Sequence, residues 1–479
     1  MTGAGGRVAP RGDAGCTVRH AGAVVVAICL IAAANASRAA DAPPPETPAA
    51  PPGLFGRDTL TGDWGGWRKR LEDHGVQLGA DYVGETLGNP TGGRSRAAVY
   101  EGRLEFFATV DLGKAVGWQG ALFHTNAYQI HGRGLSAAAI GNLATVSNIE
   151  ADRATRLYAL WLQQDLYDHT LSIRGGQIAA DDEFVVSQYG ATFINSTFGW
   201  PVILGSSLPG GGAAYPAATP GLRVKGAAAP DLDLSAAVFT GDPAGPGLTS
   251  AAPANTHGTD FRLGGAALIM TEAAYQIDLD PEGARLPGTL KLGAWYDTGR
   301  FADQRVTSSG LSLADPSGAG DPATHEGNYG GYAIADLKLW HEPDAVDQGL
   351  GVFLRVAGSP ADRNLVDFYV DAGMTYTGLV PGRDADIAGL AIGFAHVSGV
   401  ARAADRDAAS FTGTNRPVRD YEAVLELTYQ AQIAPWWIVQ PDFQFILHPG
   451  GQVPETDDPA EQRPIPNAIV LGLRTGIVF

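Results

Sequence analysis

A chain of 479 residues with 45% hydrophobic but only 18% charged residues, and with 64 glycines, suits many strands, bulges and tight turns. Its net charge of −18 is offset by no basic patch, which excludes nucleic acid as a partner. No run of about 18 uncharged apolar residues follows the first forty, so alternating strands are the only route into a membrane.

Arg7, Arg11 and Arg19 precede an apolar run over 21–34, and small residues follow at Ala36, Ala39 and Ala40. Positive region, apolar core and small-residue exit predict a signal peptide over 1–40, cut after Ala39 or Ala40. Both cysteines, Cys16 and Cys29, fall inside it. The exported chain therefore lacks disulfides, thiol catalysis and thiolate metal sites. Residues 41–57 are rich in Pro and Ala without apolar period and read as an extended tether. Over 58–75, Asp63 is placed to cap a helix, Trp64, Trp67 and Leu71 recur at i, i+3 and i+7, and Gly75 supplies a stop. This predicts a short amphipathic helix against the periplasmic rim.

From Val76 onward, windows of about ten residues alternate in polarity between Gly, Pro, Asp or Asn breaks. In one, Tyr100, Leu104, Phe106, Ala108 and Val110 oppose Glu101, Arg103, Glu105, Thr109 and Asp111. Similar windows lie at 76–87, 99–112, 120–131, 154–165, 170–178, 221–229, 231–240, 262–277, 288–299, 331–341, 349–358, 365–378, 386–398, 419–432, 435–447 and 466–479. The third, fourth and tenth alternate poorly. The last reads PNAIVLGLRTGIVF and stops inside a strand, whose apolar edge needs closing. We therefore expect an all-β fold, a transmembrane antiparallel β-barrel of sixteen strands over 76–479, closed by pairing of last strand with first. The terminal Phe479 resembles the signal by which bacterial outer-membrane barrels reach their assembly machinery. Long connections are expected at 135–152, 179–220, 241–260, 302–328, 401–418 and 449–465.

The connection 179–220 contains DDEFVVSQYGATFINSTFGWP, directly after a strand bearing Arg174 and Gln177. Phe184, Tyr189, Phe193, Phe198 and Trp200 are too apolar for a freely solvated loop. It is expected to fold inward and narrow the pore; the alternative is packing against neighbouring loops outside the channel.

Residues 60–78, with Trp64-Gly65-Gly66, Arg68 to Arg70, Leu71 and His74-Gly75, resemble the N-terminal signature of carbohydrate-selective porins of the OprB type. The similarity continues through Arg156 to Gln164, Arg174 to Gln177, Asp182 to Phe184, Phe193 to Pro201, Lys291 to Phe301, and Tyr421 to Gly451 with its Gln440-Pro441-Asp442 and His448-Pro449-Gly450. This resemblance implies a sixteen-stranded channel for mono- and small oligosaccharides in a bacterial outer membrane.

Sugars offer hydroxyls at the ring edge and apolar C–H faces, so a selective pore needs charged side chains and aromatic faces. Candidates of lumen parity are Glu101, Arg103, Arg174, Arg223, Lys225, Trp295 and Asp297, joined by Glu183, Phe184, Asn195 and Trp200 from the loop. Gln177 has the opposite parity to Arg174 and reaches the lumen only through a bulge at Gly175-Gly176. Catalysis is not expected: there is no HExxH, no close His pair and no paired carboxylate motif. Asp181-Asp182-Glu183 can be read as calcium ligands or glycosidase acids but lacks an EF-hand's glycine spacing. No cofactor is expected. The partners implied are transported sugars, outer-membrane lipid, the assembly machinery and a second copy in a homo-oligomer. Competing readings are a barrel for other small solutes or anions, and a secreted, soluble all-β carbohydrate-binding protein.

Overall fold

Sixteen strands pair in sequence order, and the first pairs with the last. They are β1 (Val76–Thr91), β2 (Ala97–Asp111), β3 (Ala121–Gly132), β4 (Ala154–Leu166), β5 (Leu171–Ile178) and β6 (Thr219–Ala229). Then come β7 (Leu232–Thr240), β8 (Ala267–Asp278), β9 (Pro287–Thr307), β10 (Pro322–Glu342) and β11 (Ala345–Gly358). The circuit ends with β12 (Val366–Thr377), β13 (Ile387–Val397), β14 (Tyr421–Ala434), β15 (Trp437–Leu447) and β16 (Ala468–Val478). The computed structural model describes residues 53–479 except 246–250, 281–282, 284–285, 319 and 456. The expected signal peptide, and the tether up to residue 52, lie outside the described residues.

Closure is antiparallel, with Asp81 opposite Val478 and Glu85 opposite Arg474. Every strand thus has two neighbours, which removes the edge that the chain end would otherwise expose. Parity then sorts the side chains. Leu471 and Leu473 of β16 lie about half exposed on the outer face, while Arg474 turns inward and pairs with buried Glu85. Phe106, Leu292, Leu427 and Met374 face outward in the same way.

All sixteen expected windows coincide with a strand, and the departures have local causes. The pairing of β3 with β4 slips between Asn126 and Ala127, leaving Tyr158 as an extra residue. A bulge re-aims the side chains beyond it, which explains the poor alternation of the fourth window. The β10 register slips at Lys338/Trp340 and again at His341/Glu342. Much of the expected connection 302–328 is strand instead, because β9 and β10 run past their neighbours as a hairpin arm. That arm packs on the helix over 399–412, Arg305 pairing with Asp407 at 2.8 Å, so its sequence does not follow the lipid-and-lumen alternation. The connection 401–418 holds a helix, Gly399–Thr412, begun by Ser398, whose Oγ accepts from Ala401 N at 3.2 Å.

The helix α1 (Trp67–Asp73) is shorter than expected and starts after a tight turn over Trp64–Gly66. Asp63 still serves its first turn, since Oδ1 accepts from Lys69 N at 3.2 Å. The helix sits at the barrel's end through Arg68 Nη2, which donates to Phe479 O at 2.9 Å. Trp64 and Trp67 stay exposed. The last residues of the tether are docked, with Phe55 stacked on Trp436.

Lipid-face sorting yields a direct test. Leu473→Arg is expected to lower unfolding stability in lipid vesicles by about 2–4 kcal/mol if that position lies near the midplane. Leu473→Met should cost less than about 1.5 kcal/mol.

Candidate functional site: the constricted lumen

The constriction begins with residues 179–219, which leave β5 and cross the lumen to the opposite wall. Their backbone N–H groups find carboxylates there. Val185 N donates to Glu272 of β8 at 3.1 Å, and Ile194 N and Asn195 N donate to Glu426 of β14 at 2.6 and 2.9 Å. Wall donors meet their carbonyls in turn: Lys291 Nζ reaches Val186 O at 2.8 Å and Gln440 Nε2 reaches Thr192 O at 2.9 Å. Fully buried Arg355 of β11 donates to Val185 O at 2.8 Å, Gly199 O at 3.1 Å and Thr197 O at 2.8 Å, while pairing with Asp371. Aromatic residues complete the plug, Phe193 and Phe198 packing on Phe353.

A second inward segment lies between β3 and β4, where the sequence signals only a long connection. Leu143 N and Ala144 N both donate at 2.7 Å to the Glu422 carboxylate. Gln444 Nε2 holds Val146 O at 2.8 Å, and Arg474 Nη2 holds Asn148 Oδ1 at 2.6 Å. The two segments also bond each other, Asn148 N to Ile194 O at 2.8 Å and Ser196 N to Thr145 O at 2.9 Å. Together they are tied to the wall from β8 to β16, and Asp181, Glu183 and Tyr215 carry the first segment onto the wall from β3 to β6 as well.

On that side two groups of charge differ in how they are satisfied. Arg174 and Arg223 share Glu183, Arg223 Nε at 3.0 Å. Gln163 Oε1 accepts from Arg174 Nη2 at 2.7 Å and from Arg223 Nη2 at 3.2 Å, and Arg174 lies 3.8 Å over the Trp161 ring. This group is saturated internally. Higher on the wall, Arg103 lies 4.6 Å over Tyr128 and 5.7 Å over Tyr215, with Glu105 at 3.7 Å. Register places Tyr128 between Glu105 of β2 and Arg156 of β4. Both oxygens of buried Glu101, Nε of Arg103, and Nε and Nη1 of buried Arg156 have no partner among the described residues. Tyr215 sits among them: burial pushes its phenol up, Arg103 and Arg156 oppose, and Glu101 and Glu85 add to the rise. Its hydroxyl donates to Ile149 O at 2.9 Å, fixing the ring between the two inward segments.

Several expected contacts are corrected. The pairing of β5 with β4 and with β6 is continuous, so no bulge turns Gln177 into the lumen. Its amide instead donates to Leu157 O at 3.3 Å, Tyr158 O at 2.7 Å and Gly258 O at 3.1 Å. Phe184 is fully buried, edge-on to Phe239 at 6.2 Å, and offers no face to a solute. Asn195 is used structurally, donating to Gln444 Oε1 at 3.0 Å and accepting from Thr197 N at 3.1 Å. Trp200 is partly buried with Nε1 on Gly211 O at 3.0 Å. Trp295 is buried and stacked on Tyr332, and Asp297 is buried at Gly299 N, 2.7 Å away. Lys225 is solvated and pairs with Asp233 at 3.3 Å. Asp181 accepts from Tyr215 N at 2.9 Å and Tyr158 Oη at 3.3 Å, so the acidic triplet is divided between two structural roles. Among the described residues no group of three or more metal-binding side chains is assembled.

The carbohydrate-selective porin profile of the OprB type matches residues 95–479. The chain belongs to that family. It is 26% identical over 445 residues to Porin B of Pseudomonas aeruginosa, covering 88% of this chain and 91% of that protein. It is 25% identical over 432 residues to the putative porin QuiX of Acinetobacter baylyi, covering 84% and 91%. The high-pH structure of Pseudomonas putida OprB superposes with a TM-score of 0.78 at 25% identity, over 89% of this chain and 99% of that one. This is a carbohydrate porin of the bacterial outer membrane, and the soluble secreted reading is set aside.

Arg355 is the strongest single tether of the plug. Removing one member of a buried ion pair typically costs about 3–5 kcal/mol. Arg355→Met is expected to lower thermal stability by that order and to make single-channel current fluctuate between levels. A steady single level would show that the plug holds without it.

Proposed function

We propose that sugars diffuse passively through the gap between the two inward segments and the wall from β2 to β6, and that Glu101, Arg103, Arg156 and the Tyr215 ring form the selecting contact. The observation that supports this reading is the clustering of Glu101, Arg103 and Arg156 about the Tyr215 ring; their unpartnered polar atoms are enclosed, so a solute meets them as that ring shifts. Such groups are rare in folded proteins and call for a partner from water or solute. Glu101 accepts from hydroxyls, while Arg103 and Arg156 donate to hydroxyl oxygens, which matches the mixed rim of a pyranose. Tyr215 supplies a face for its C–H side. The Arg174, Glu183 and Arg223 group is read as the rigid support of the gap, because its donors and acceptors already satisfy one another.

No bond is made or broken in this reading, so the protein acts as a channel and not as an enzyme. Each contact has to be weak enough for release. The final strand, ending at Phe479, is proposed as the segment that the outer-membrane assembly machinery recognises. A second reading, passage of small anionic solutes, is favoured by Arg156, which joins no ion pair with a described residue.

In planar bilayers, glucose or sucrose titrated from one side should block the current in a concentration-dependent way. Arg156→Gln and Glu101→Gln should each weaken that block by about tenfold, or about 1.4 kcal/mol, with the barrel intact. Unchanged block in both variants would remove the proposed contact. A reversal potential under a salt gradient that shifts toward the anion in wild type but not in Arg156→Gln would favour the second reading.

A further inference from the structure

Gln177 ends the Arg-Gly-Gly-Gln stretch of β5, and neither the plug nor the sugar contact uses it. It has the outward parity of the wall, yet it is only 3% exposed. The connection between β7 and β8 reaches it there. The ladder of β4 with β5 stops at the pair Leu160 and Gln177, while β4 itself runs on to Ala154. Along 154–159 the strand therefore has β3 on one side and no strand of the described residues on the other.

That half-open stretch contains the bulge at Tyr158. Its spare backbone groups are taken up from outside the strands. Leu157 N donates to His257 O at 2.9 Å, and His257 Nδ1 lies 3.3 Å from Thr155 O. Gln177 Nε2 donates to Tyr158 O at 2.7 Å, Leu157 O at 3.3 Å and Gly258 O at 3.1 Å, so one amide holds the bulge and the connection together. Only glycine suits position 258: its φ is +66°, and a Cβ there would come within 1.9 Å of Leu157 O. From the β3 side, Asn126 Oδ1 accepts from Ala159 N at 2.7 Å.

A bulge re-aims the side chains beside it. Here those are Arg156, opposite Tyr128, and Tyr158, whose ring lies 4.6 Å from Tyr128 and 6.2 Å from Tyr215. We propose that Gln177 and Gly258 are positioning residues for the sugar contact: they fix the Tyr158 bulge from the outer side of the wall and thereby the direction in which Arg156 meets a solute. They touch no solute themselves. The inference rests on the reading of Arg156 as a selecting contact, and it makes the connection between β7 and β8 a determinant of sugar preference. A binding constellation whose supporting shell lets it shift by about 1 Å loses its selectivity.

Sugar block of single channels tests it, with glucose as the probe and folded barrels confirmed by their heat-modifiable migration. Gln177→Met keeps the shape of the side chain and removes its donors, while Gly258→Ala drives the connection away from Leu157. Each should raise the half-blocking glucose concentration at least about threefold, with conductance in salt alone at the wild-type level. Gly258→Ala lies in a connection and keeps the test available if Gln177→Met does not insert. In the double variant Arg156→Gln/Gly258→Ala the loss should be no greater than in Arg156→Gln, because a support has no effect once the side chain it aims is gone. Fully additive losses would overturn the positioning role. So would unchanged block in the single variants while Arg156→Gln weakens it, an outcome that leaves the sugar contact standing. Unchanged block in Arg156→Gln would overturn the sugar contact and this inference with it.

Discussion

The structure depends on one arrangement: carboxylates on the inner wall accepting backbone N–H groups from segments that enter the lumen. Sixteen strands enclose a space too wide for side chains to fill. Any chain entering it carries polar backbone that has to be bonded. Glu272, Glu422 and Glu426 each take N–H groups from an inward segment, and Arg355 and Gln444 take carbonyls. The wall's polarity is therefore matched to the plug, and the plug's position follows from it.

In the proposed function, solutes pass where that matching leaves polar atoms on Glu101, Arg103 and Arg156 without a partner among the described residues. Glu272, Arg355, Glu422 and Glu426 are engaged with the plug, while Glu101, Arg103 and Arg156, and one oxygen each of Asp297 and Asp442, keep unpartnered atoms. Arg174, Glu183 and Arg223 are bonded to one another and join the inward segment to β5 and β6.

Period-two alternation makes the sixteen strands and the closing pair legible, because each strand has water or plug on one side and lipid on the other. The apolar content of 179–220 marks it as an inward segment, since Phe193 and Phe198 have nowhere else to pack. The site is less legible. Glu101 and Arg103 follow from parity in a regular strand. Arg156 is hidden by the extra residue at Tyr158, which breaks the alternation that would have aligned it with Trp161 and Gln163. Parity taken separately on each side of that break would find it. Phe184, Asn195 and Trp295 mislead for another reason: parity and composition place a side chain inside a barrel, but whether it meets solute or plug is decided by contacts distant in sequence.

The central claim is that solutes pass on the Tyr215 side of the plug and not on the Thr197 side. Because the chain has no cysteine after Cys29, single cysteines can be read without background. Tyr215→Cys and Thr197→Cys channels should be treated with a bulky thiol reagent during single-channel recording. Modification at 215 should close the current and remove sugar block, while 197 is silent. Current lost at 197 with 215 unaffected would place the passage on the other side of the plug and contradict it.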